Sequence, residues 1–240
     1  MPGLHIGDCR AGVIEVVLDH PPENLLTMEM CAQFTKLLRD PPADAHVLRL
    51  RAMGAMFCGG RERAGVTAGD LVTESRIVVG LHRAMRQSPL VTVTEVHGDA
   101  AGFGVGLIAA SDVAIAVADA RFCFPEVGLD LAPALVLAWL PGVIGEREAF
   151  WLTATAERMT ADRAQRLGLV NEVVDGPNEL RKAAAARIAA LRTRNPRIHT
   201  DIKSLLRAFD PLDEDRALEA SVDRLVIGVL RRGESSDSGC

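Results

Sequence analysis

The sequence predicts an α/β fold in which most neighbouring strands run parallel. Short runs rich in β-branched residues alternate with amphipathic helical patterns from residue 4 to about residue 171. Such alternation is typical of strands joined by helical crossovers. The chain has 240 residues, of which 48% are hydrophobic, and this is enough to bury one large core. Beyond residue 171 the pattern is helical apart from one short strand-like run.

The predicted strands are apolar or alternating runs that end at glycine, proline or polar residues. A turn at Arg10-Ala-Gly12 separates the first two, and the prolines that follow Asp19 predict a loop. Val47-Leu-Arg-Leu-Arg alternates as a half-buried strand does. The predicted strands are 4–8, 13–18, 47–52, 91–96, 113–117 and 172–175.

The predicted helices carry apolar residues three and four positions apart. Thr27 and Thr160 are expected N-caps, and Gly168 is expected to end the helix that Thr160 begins. The helix after Thr27 should bury Cys31, Phe34, Leu37 and Leu38, and the next should bury Leu71, Ile77, Val78, Leu81 and Met85. The predicted helices are 28–39, 70–87, 106–110, 146–154, 160–167, 179–194, 198–209 and 212–232.

Composition excludes several classes of function. The net charge is -5, the pI is near 5.7 and no long basic block occurs, which argues against a nucleic-acid partner. No apolar run approaches the ~20 residues of a membrane helix, and the first residues do not resemble a signal peptide. The five cysteines form no CxxC pair and the six histidines show no metal-ligand spacing. We therefore expect reduced thiols, a cytoplasmic location and no bound metal.

The stretch 90–131 carries the chemistry that the sequence suggests. A β-branched strand is followed by Gly98, Gly102, Gly104 and Gly106, then by a short apolar helix and a second strand. Amide groups at the start of a helix are unpaired and favour negative charge. Glu126 follows as a single carboxylate among apolar residues. Amide donors beside one carboxylate suit a carbonyl that becomes an oxyanion.

Two other interpretations of this glycine-rich turn remain. Gly104-x-Gly106-x-x-Ala109 fits a dinucleotide-binding fingerprint, with Glu126 as the ribose-binding acid. The few residues from 107 to 112 are short for a crossover helix, and the fingerprint usually follows the first strand of its domain. This interpretation is therefore disfavoured. A turn with only a structural role stays open.

Several further motifs follow one another along the chain. They are Phe57-Cys-Gly-Gly60-Arg61-Glu62, His97-Gly98 with Gly102-Phe103-Gly104-Val105-Gly106, Ser111-Asp112-Val113, Phe122-Cys-Phe-Pro125-Glu126, Leu140-Pro-Gly-Val-Ile-Gly145 and Ala164-Gln-Arg-Leu-Gly168-Leu-Val-Asn171. In their order and spacing the chain resembles the crotonase superfamily, the relatives of enoyl-CoA hydratase and isomerase, from about Val13 to Lys203.

The resemblance implies a fold, a substrate and an assembly. The fold would be a crotonase-like spiral of β-β-α units over residues 1–194 with the acyl-CoA site. Residues 195–240 would form a C-terminal helical region for oligomerisation, in which the helix 212–232 packs on a neighbouring subunit and a mobile tail follows. The substrate would be an acyl-CoA, with coenzyme A as part of it and no separate cofactor. The partner would be the same chain, in a trimer or hexamer.

The resemblance also assigns the site. The backbone amides of Arg61 and Phe103 would form the oxyanion hole. Arg61, Arg63 and Lys203 would approach coenzyme A phosphates. Phe103 stands where the family prefers glycine and should narrow the acyl pocket. The remaining expected substrate contacts are Cys58, Gly59, Gly60, Gly102, Gly106 and Asp130.

The carboxylates decide which reaction is expected. Hydratases of this family hold water between two glutamates, and this chain has Gly106 at the first position and Glu126 at the second. Asp130 is a further candidate, but an offset of one or two residues would direct it elsewhere. One carboxylate favours isomerase-type proton transfer over efficient hydration, and Phe124, Val127 and Leu129 are expected to desolvate it. The alternatives are an acyl-CoA-binding protein without turnover, and a decarboxylase or other enzyme of enolate chemistry.

Overall fold

The structure is a computed structural model. It describes residues 3–209 and, beyond them, residues 215, 218, 219, 222, 223, 225–227, 229 and 230. The tail expected after residue 232 lies outside the described residues, as does much of the predicted helix 212–232.

A six-stranded sheet forms the centre of the fold. Its strands, in spatial order, are β1 (Gly3–Ile6), β2 (Val13–Asp19), β3 (Val47–Ala52), β4 (Val91–Val96), β6 (Val113–Val117) and β9 (Glu172–Val174). Only β1 pairs antiparallel with its neighbour, and every other neighbouring pair in this sheet is parallel. The predicted α/β class with mainly parallel pairing is confirmed.

A second, three-stranded sheet lies beyond the carboxyl ends of β3, β4 and β6. It contains β5 (Ala100–Ala101), β7 (Arg121–Cys123) and β8 (Met159–Thr160) in the order β5-β7-β8. The strands β5 and β7 are parallel, and β8 is antiparallel to β7. Strands this short have no alternating pattern, so the sequence did not predict them.

The helices largely match the predictions. They are α1 (Met28–Arg39), α2 (Ala68–Gln87), α3 (Phe103–Ala110), α4 (Ala134–Leu137), α5 (Leu140–Ile144), α6 (Glu146–Thr155), α7 (Ala161–Arg166), α8 (Pro177–Arg192) and α9 (Pro196–Phe209), with a 3₁₀ helix at Pro125–Leu129. Thr27 and Thr160 cap α1 and α7 as predicted. The short helices α4 and α5 and the 3₁₀ helix were not predicted. No helix within the described residues is both long and apolar enough to cross a membrane.

The two faces of the large sheet bury different partners. On one face Val47 and Val93 pack against Ile188 of α8. On the other, Leu48 and Leu50 belong to the main core. Neighbouring side chains of a strand point to opposite faces, so this division follows from the sequence of β3. The helices α1 and α2 pack against each other and contribute Phe34 and Met85 among others to that core.

The C-terminal region packs on its own chain. Leu218, Val222 and Val226 are helical and almost fully buried, although the sequence suggested that a neighbouring subunit covers this helix. Within the described residues the chain itself therefore covers part of the apolar surface of this helix, while Ile227 and Leu230 stay exposed, and the expected packing on a neighbouring subunit stays a prediction. Ion pairs from Arg83 of α2 to Asp215 (2.9 Å) and Glu219 (3.0 Å) accompany the contact.

Candidate functional site

Three turns meet where the parallel strands of the second sheet end. Cys58 forms a parallel bridge with Ala100, and Ala101 N donates to Cys58 O at 2.9 Å. On the other side Gly102 N donates to Cys123 O at 3.0 Å. The residues that follow these three segments, Gly60-Arg61, Gly102-Phe103 and Pro125-Glu126, therefore lie together.

The backbone around Arg61 directs its amide away from the neighbouring strand. Leu26 N donates to Gly60 O and Glu62 N donates to Leu26 O, both at 2.9 Å. Successive amides of an extended chain point to opposite sides, so the Arg61 N–H points away from Leu26. The Phe103 amide opens α3, where no intrahelical acceptor exists. Among the described residues neither amide has a hydrogen-bond acceptor, and a Cβ on Gly60 would lie 3.8 Å from Phe103 N.

Two glycines make this approach possible. Gly102 has a φ of 50° and a ψ of -120°, a conformation that residues with a Cβ avoid. A Cβ on Gly104 would lie 2.2 Å from Cys58 O, which is an overlap with rigid backbone. The glycines of this turn are thus needed for the close packing of α3 on the segment that carries Cys58.

Glu126 lies beside the two amides. It follows β7 within the 3₁₀ helix and is 9% exposed. A Cβ on Gly102 would be 3.1 Å from its Oε1, and its Oε2 is buried without a hydrogen-bond partner in the described structure. Burial raises the pKa of Glu126, while its own amide, Arg63 and Arg61 act in the opposite direction.

The prediction that Phe124, Val127 and Leu129 shield Glu126 from water is only partly correct. Phe124 is buried, but Val127 and Leu129 are exposed; of these two, Leu129 lies three residues after Glu126 and lines the same cavity as Glu126. The desolvation therefore does not come from Val127.

These groups face one cavity of about 220 Å³. The lining includes seven predicted site residues, which are Gly59, Gly60, Arg61, Arg63, Gly102, Phe103 and Glu126. The rest of the wall is apolar and comes from Pro125, Leu129 and residues 131–136, with Leu225 of the C-terminal region. The site therefore does not lie wholly within residues 1–194.

The two arginines are placed differently. Arg63 is exposed, whereas the Arg61 side chain is 5% exposed and its Nη1 lies 3.2 Å from Glu74 Oε2. Burial lowers the pKa of Arg61, and Arg63 acts in the same direction while Glu74 opposes it. Arg63 is thus better placed than Arg61 to meet an anionic group from solvent.

Aromatic rings occupy the space beside Gly106. A Cβ there would lie 3.2 Å from Phe103 Cδ2 and 3.4 Å from Trp139 Cζ2. Both rings are largely buried, and the Trp139 ring also packs against Phe124 at a centroid distance of 6.3 Å. Rings therefore lie against the position at which the family resemblance implies a first glutamate, and Gly106 is not among the described residues that line the cavity.

Three other predicted residues lie away from the cavity lining. Cys58 is buried behind it, and burial raises the pKa of this thiol to about 12. Asp130 is exposed in a left-handed conformation. Lys203 is buried, and its Nζ donates to Leu90 O at 2.8 Å and to Asp112 Oδ2 at 2.7 Å.

The position of Lys203 gives its expected phosphate contact no support. Leu90 and Asp112 directly precede β4 and β6, whereas the cavity follows the carboxyl ends of the parallel strands. Lys203 therefore lies at the opposite edge of the large sheet.

Sequence reasoning did not identify Glu74, Trp139 or Leu225 as site residues. A signal existed for Glu74, because it lies three residues after Leu71 and four before Val78, on the buried stripe of α2. A carboxylate on such a stripe needs buried partners. No comparable signal exists for Trp139 or Leu225, whose places depend on chain segments distant in sequence.

Comparisons with known proteins identify the family and the fold. The enoyl-CoA hydratase/isomerase family model matches residues 8–226. A probable enoyl-CoA hydratase of Rhodobacter capsulatus is 32% identical over 169 residues, which cover 68% of this chain and 65% of that protein. This chain thus spans slightly less than two thirds of that relative.

Two further relatives are covered more fully. A (7aS)-7a-methyl-1,5-dioxo-2,3,5,6,7,7a-hexahydro-1H-indene-carboxyl-CoA hydrolase of Rhodococcus jostii is 30% identical, over 84% of this chain and 80% of its own. A peroxisomal Delta(3,5)-Delta(2,4)-dienoyl-CoA isomerase of Arabidopsis thaliana is 26% identical, over 87% of this chain and 82% of its own. Among solved structures, an enoyl-CoA hydratase of Mycobacterium avium subsp. paratuberculosis superposes with a TM-score of 0.85 at 24% identity, over 95% of this chain and 94% of that one.

Proposed function

The chain belongs to the enoyl-CoA hydratase/isomerase family of the crotonase superfamily, and we propose that it moves a proton on an acyl-CoA thioester through a stabilised enolate. The amides of Arg61 and Phe103 bind the thioester oxygen, and Glu126 is the base. The observation that carries the proposal is the free Oε2 of Glu126 in a cavity that also contains both turns.

The proposed reaction is the isomerisation of a 3-enoyl-CoA to a 2-enoyl-CoA. Glu126 takes a proton from the carbon next to the carbonyl, and negative charge develops on the thioester oxygen. Two preorganised amides stabilise that charge more than they stabilise the neutral carbonyl. Glu126 then returns the proton to the far end of the former double bond. The raised pKa of Glu126 suits both steps, because an efficient proton shuttle has a pKa near the working pH.

Hydration is disfavoured by the rings beside Gly106. A water that adds to the double bond is best held between two carboxylates. Phe103 and Trp139 occupy the space that the first of these carboxylates would need. One carboxylate orients water less well than two. The relatives include an isomerase as well as a probable hydratase, so the preference rests on the rings beside Gly106.

The size of the cavity favours a compact acyl group. A cavity of roughly 150 Å³ in a protein core admits benzene, and this cavity of about 220 Å³ has room for little more than one ring. Leu135, Val136 and Leu225 contribute to its apolar wall. We therefore propose a short, branched or single-ring acyl-CoA with no separate cofactor, handled in the cytoplasm, where the buried thiols Cys31 and Cys58 stay reduced.

A second candidate is another reaction of the same enolate. The hydrolase among the relatives acts, by its name, on a carboxyl-CoA, and loss of a carboxylate or cleavage next to a carbonyl also develops charge on an oxyanion. An acyl-CoA-binding protein without turnover would keep the two amides and would not need the free Oε2 of Glu126.

A panel of acyl-CoA thioesters separates these functions. The panel contains a 2-enoyl-, a 3-enoyl- and a malonyl-type thioester, each with short linear, cyclic and long linear acyl groups, and binding is measured apart from turnover. We expect turnover of compact 3-enoyl-CoA. Binding without turnover would identify an acyl-CoA-binding protein that has no enzymatic activity. Release of carbon dioxide or of a cleaved acyl product would identify the second candidate, another reaction of the same enolate.

A further inference from the structure

We propose that Glu74 is a positioning residue of the oxyanion hole. It fixes the loop 61–65, whose first amide is the donor from Arg61. The inference rests on the proposed function in one respect, namely that the Arg61 amide polarises a thioester carbonyl.

The Glu74 carboxylate binds three groups of this loop. Its Oε1 accepts hydrogen bonds from Ala64 N at 3.1 Å and from Gly65 N at 2.6 Å. Its Oε2 accepts from Arg61 Nη1 at 3.2 Å. Both ends of the loop are thus attached to one side chain of α2.

Burial makes this attachment strong. Glu74 and the Arg61 side chain are almost fully buried, so each charge depends on the other for compensation. Hydrogen bonds to a charged acceptor are stronger than neutral ones. Removing the negative charge would leave Arg61 buried without a counter-ion, and the loop would move to hydrate it.

The close approach of the loop to α2 depends on Gly65. A Cβ there would lie 2.9 Å from Asp70 Cβ and 3.2 Å from Glu74 Cδ. Asp70 and Thr67 form a capping box at the start of α2, so the helix end itself is fixed. Any side chain at position 65 would therefore push the loop away from Glu74.

Within the described residues the backbone at Arg61 has one further attachment, the bridge to Leu26. That bridge directs the N–H away from Leu26 and holds Glu62, whose N donates to Leu26 O, but it does not reach residues 63–65. Glu74 holds those residues from the other side. The two attachments together set the direction of the donor.

The test measures polarisation of a bound carbonyl, which does not require turnover. The carbonyl stretching frequency of a saturated acyl-CoA is compared, bound and free, in the full-length protein by difference infrared spectroscopy. Glu74→Gln is expected to lose most of the downward shift that the wild type shows, while its affinity changes less than about threefold. With a 3-enoyl-CoA, kcat should fall at least tenfold and KM should change little.

One variant serves as a matched control. Glu62→Gln removes the same charge from the same loop, but its side chain is 44% exposed and no contact to the amides of residues 64 and 65 involves it, so the shift should be unchanged. Loss of the shift in Glu62→Gln equal to that in Glu74→Gln would overturn the proposal.

A second variant tests the same role of Glu74 if Glu74→Gln folds poorly. Gly65→Ala leaves every charge in place and pushes the loop from Glu74, so it should also reduce the shift. An unchanged shift in either folded variant would refute the positioning role. If the wild type shows no shift at all, the proposed oxyanion hole is wrong; a shift without turnover, lost in Glu74→Gln, would support Glu74 and refute only the enzymatic function.

Discussion

Adding a second carboxylate should restore hydration only if an aromatic ring is removed at the same time. In Gly106→Glu the new Cβ would meet Phe103 Cδ2 at 3.2 Å and Trp139 Cζ2 at 3.4 Å, so we expect the longer glutamate side chain to press against both rings. Overpacking of this kind costs about 1–3 kcal/mol. For a chain of this size that corresponds to a fall in Tm of roughly 2–12 °C, and hydration should not improve.

The double variant Phe103→Gly with Gly106→Glu should behave differently. Removing the Phe103 ring vacates the space next to position 106 but keeps the backbone amide of residue 103. Loss of a buried phenyl ring costs about 3–5 kcal/mol at most, and the new side chain refills part of the space. Because a positioned acid or base commonly contributes about 10²–10⁴-fold, the ratio of hydration to isomerisation should rise at least a hundredfold.

The assay compares both reactions in the same preparations. Hydration of a 2-enoyl-CoA and isomerisation of a 3-enoyl-CoA are followed in the wild type, both single variants and the double variant, with Tm measured for each. Phe103→Gly alone should not gain hydration. If Gly106→Glu alone gained as much as the double variant, the Phe103 ring would not be the obstacle and the reasoning would be refuted.

The remaining predictions concern the donors, the base and the C-terminal helix. Arg61→Pro and Phe103→Pro should each lose about a hundredfold or more in kcat, because proline has no N–H, whereas Arg61→Ala should keep most of the activity; a folded Phe103→Pro variant with full turnover would place the hole elsewhere. Burial raises the pKa of Glu126, so its ionisation destabilises the fold as pH rises; Glu126→Gln should therefore raise Tm at pH 7 but not near pH 4, and equal gains at both would contradict this. Burial, His199 and Arg192 lower the pKa of His46, whose Nε2 lies 2.8 Å from His199 Nδ1. Stability that depends on neutral His46 should be present above pH ~6.5 and be lost as pH falls; His46→Gln should flatten the acid side of the Tm profile, and an unchanged profile would exclude His46 as its cause. Sedimentation should show the trimer or hexamer that the family resemblance implies, and a monomer at micromolar concentration would contradict it.

Helices with a capping residue at one end and a stop signal at the other were predicted correctly from the sequence. Thr27 caps α1 and Asp40-Pro41 stops it, so both ends match the prediction. The glycines of α3 obscured its start at Phe103, because their low helix propensity is outweighed by tight packing on Cys58. Tertiary contact, which a local pattern does not show, decided this boundary.

The site was predictable as far as it depends on backbone motifs. Arg61, Phe103 and Glu126 line one cavity because short strands bring their turns together. The helical pattern indicated that Glu74 is buried, but it could not show its partners, which lie on a separate loop. The pairing of Lys203 with Asp112 across 91 residues likewise depends on the docking of α9, which no local pattern specifies.

The central claim is that Glu126 moves the proton while two backbone amides hold the thioester. The most direct measurement is turnover of a compact 3-enoyl-CoA by the wild type and by Glu126→Gln, with binding of an unreactive acyl-CoA measured in both. The account predicts that turnover collapses in the variant while affinity changes little. Equal rates in the two proteins would show that Glu126 is structural and would contradict the account.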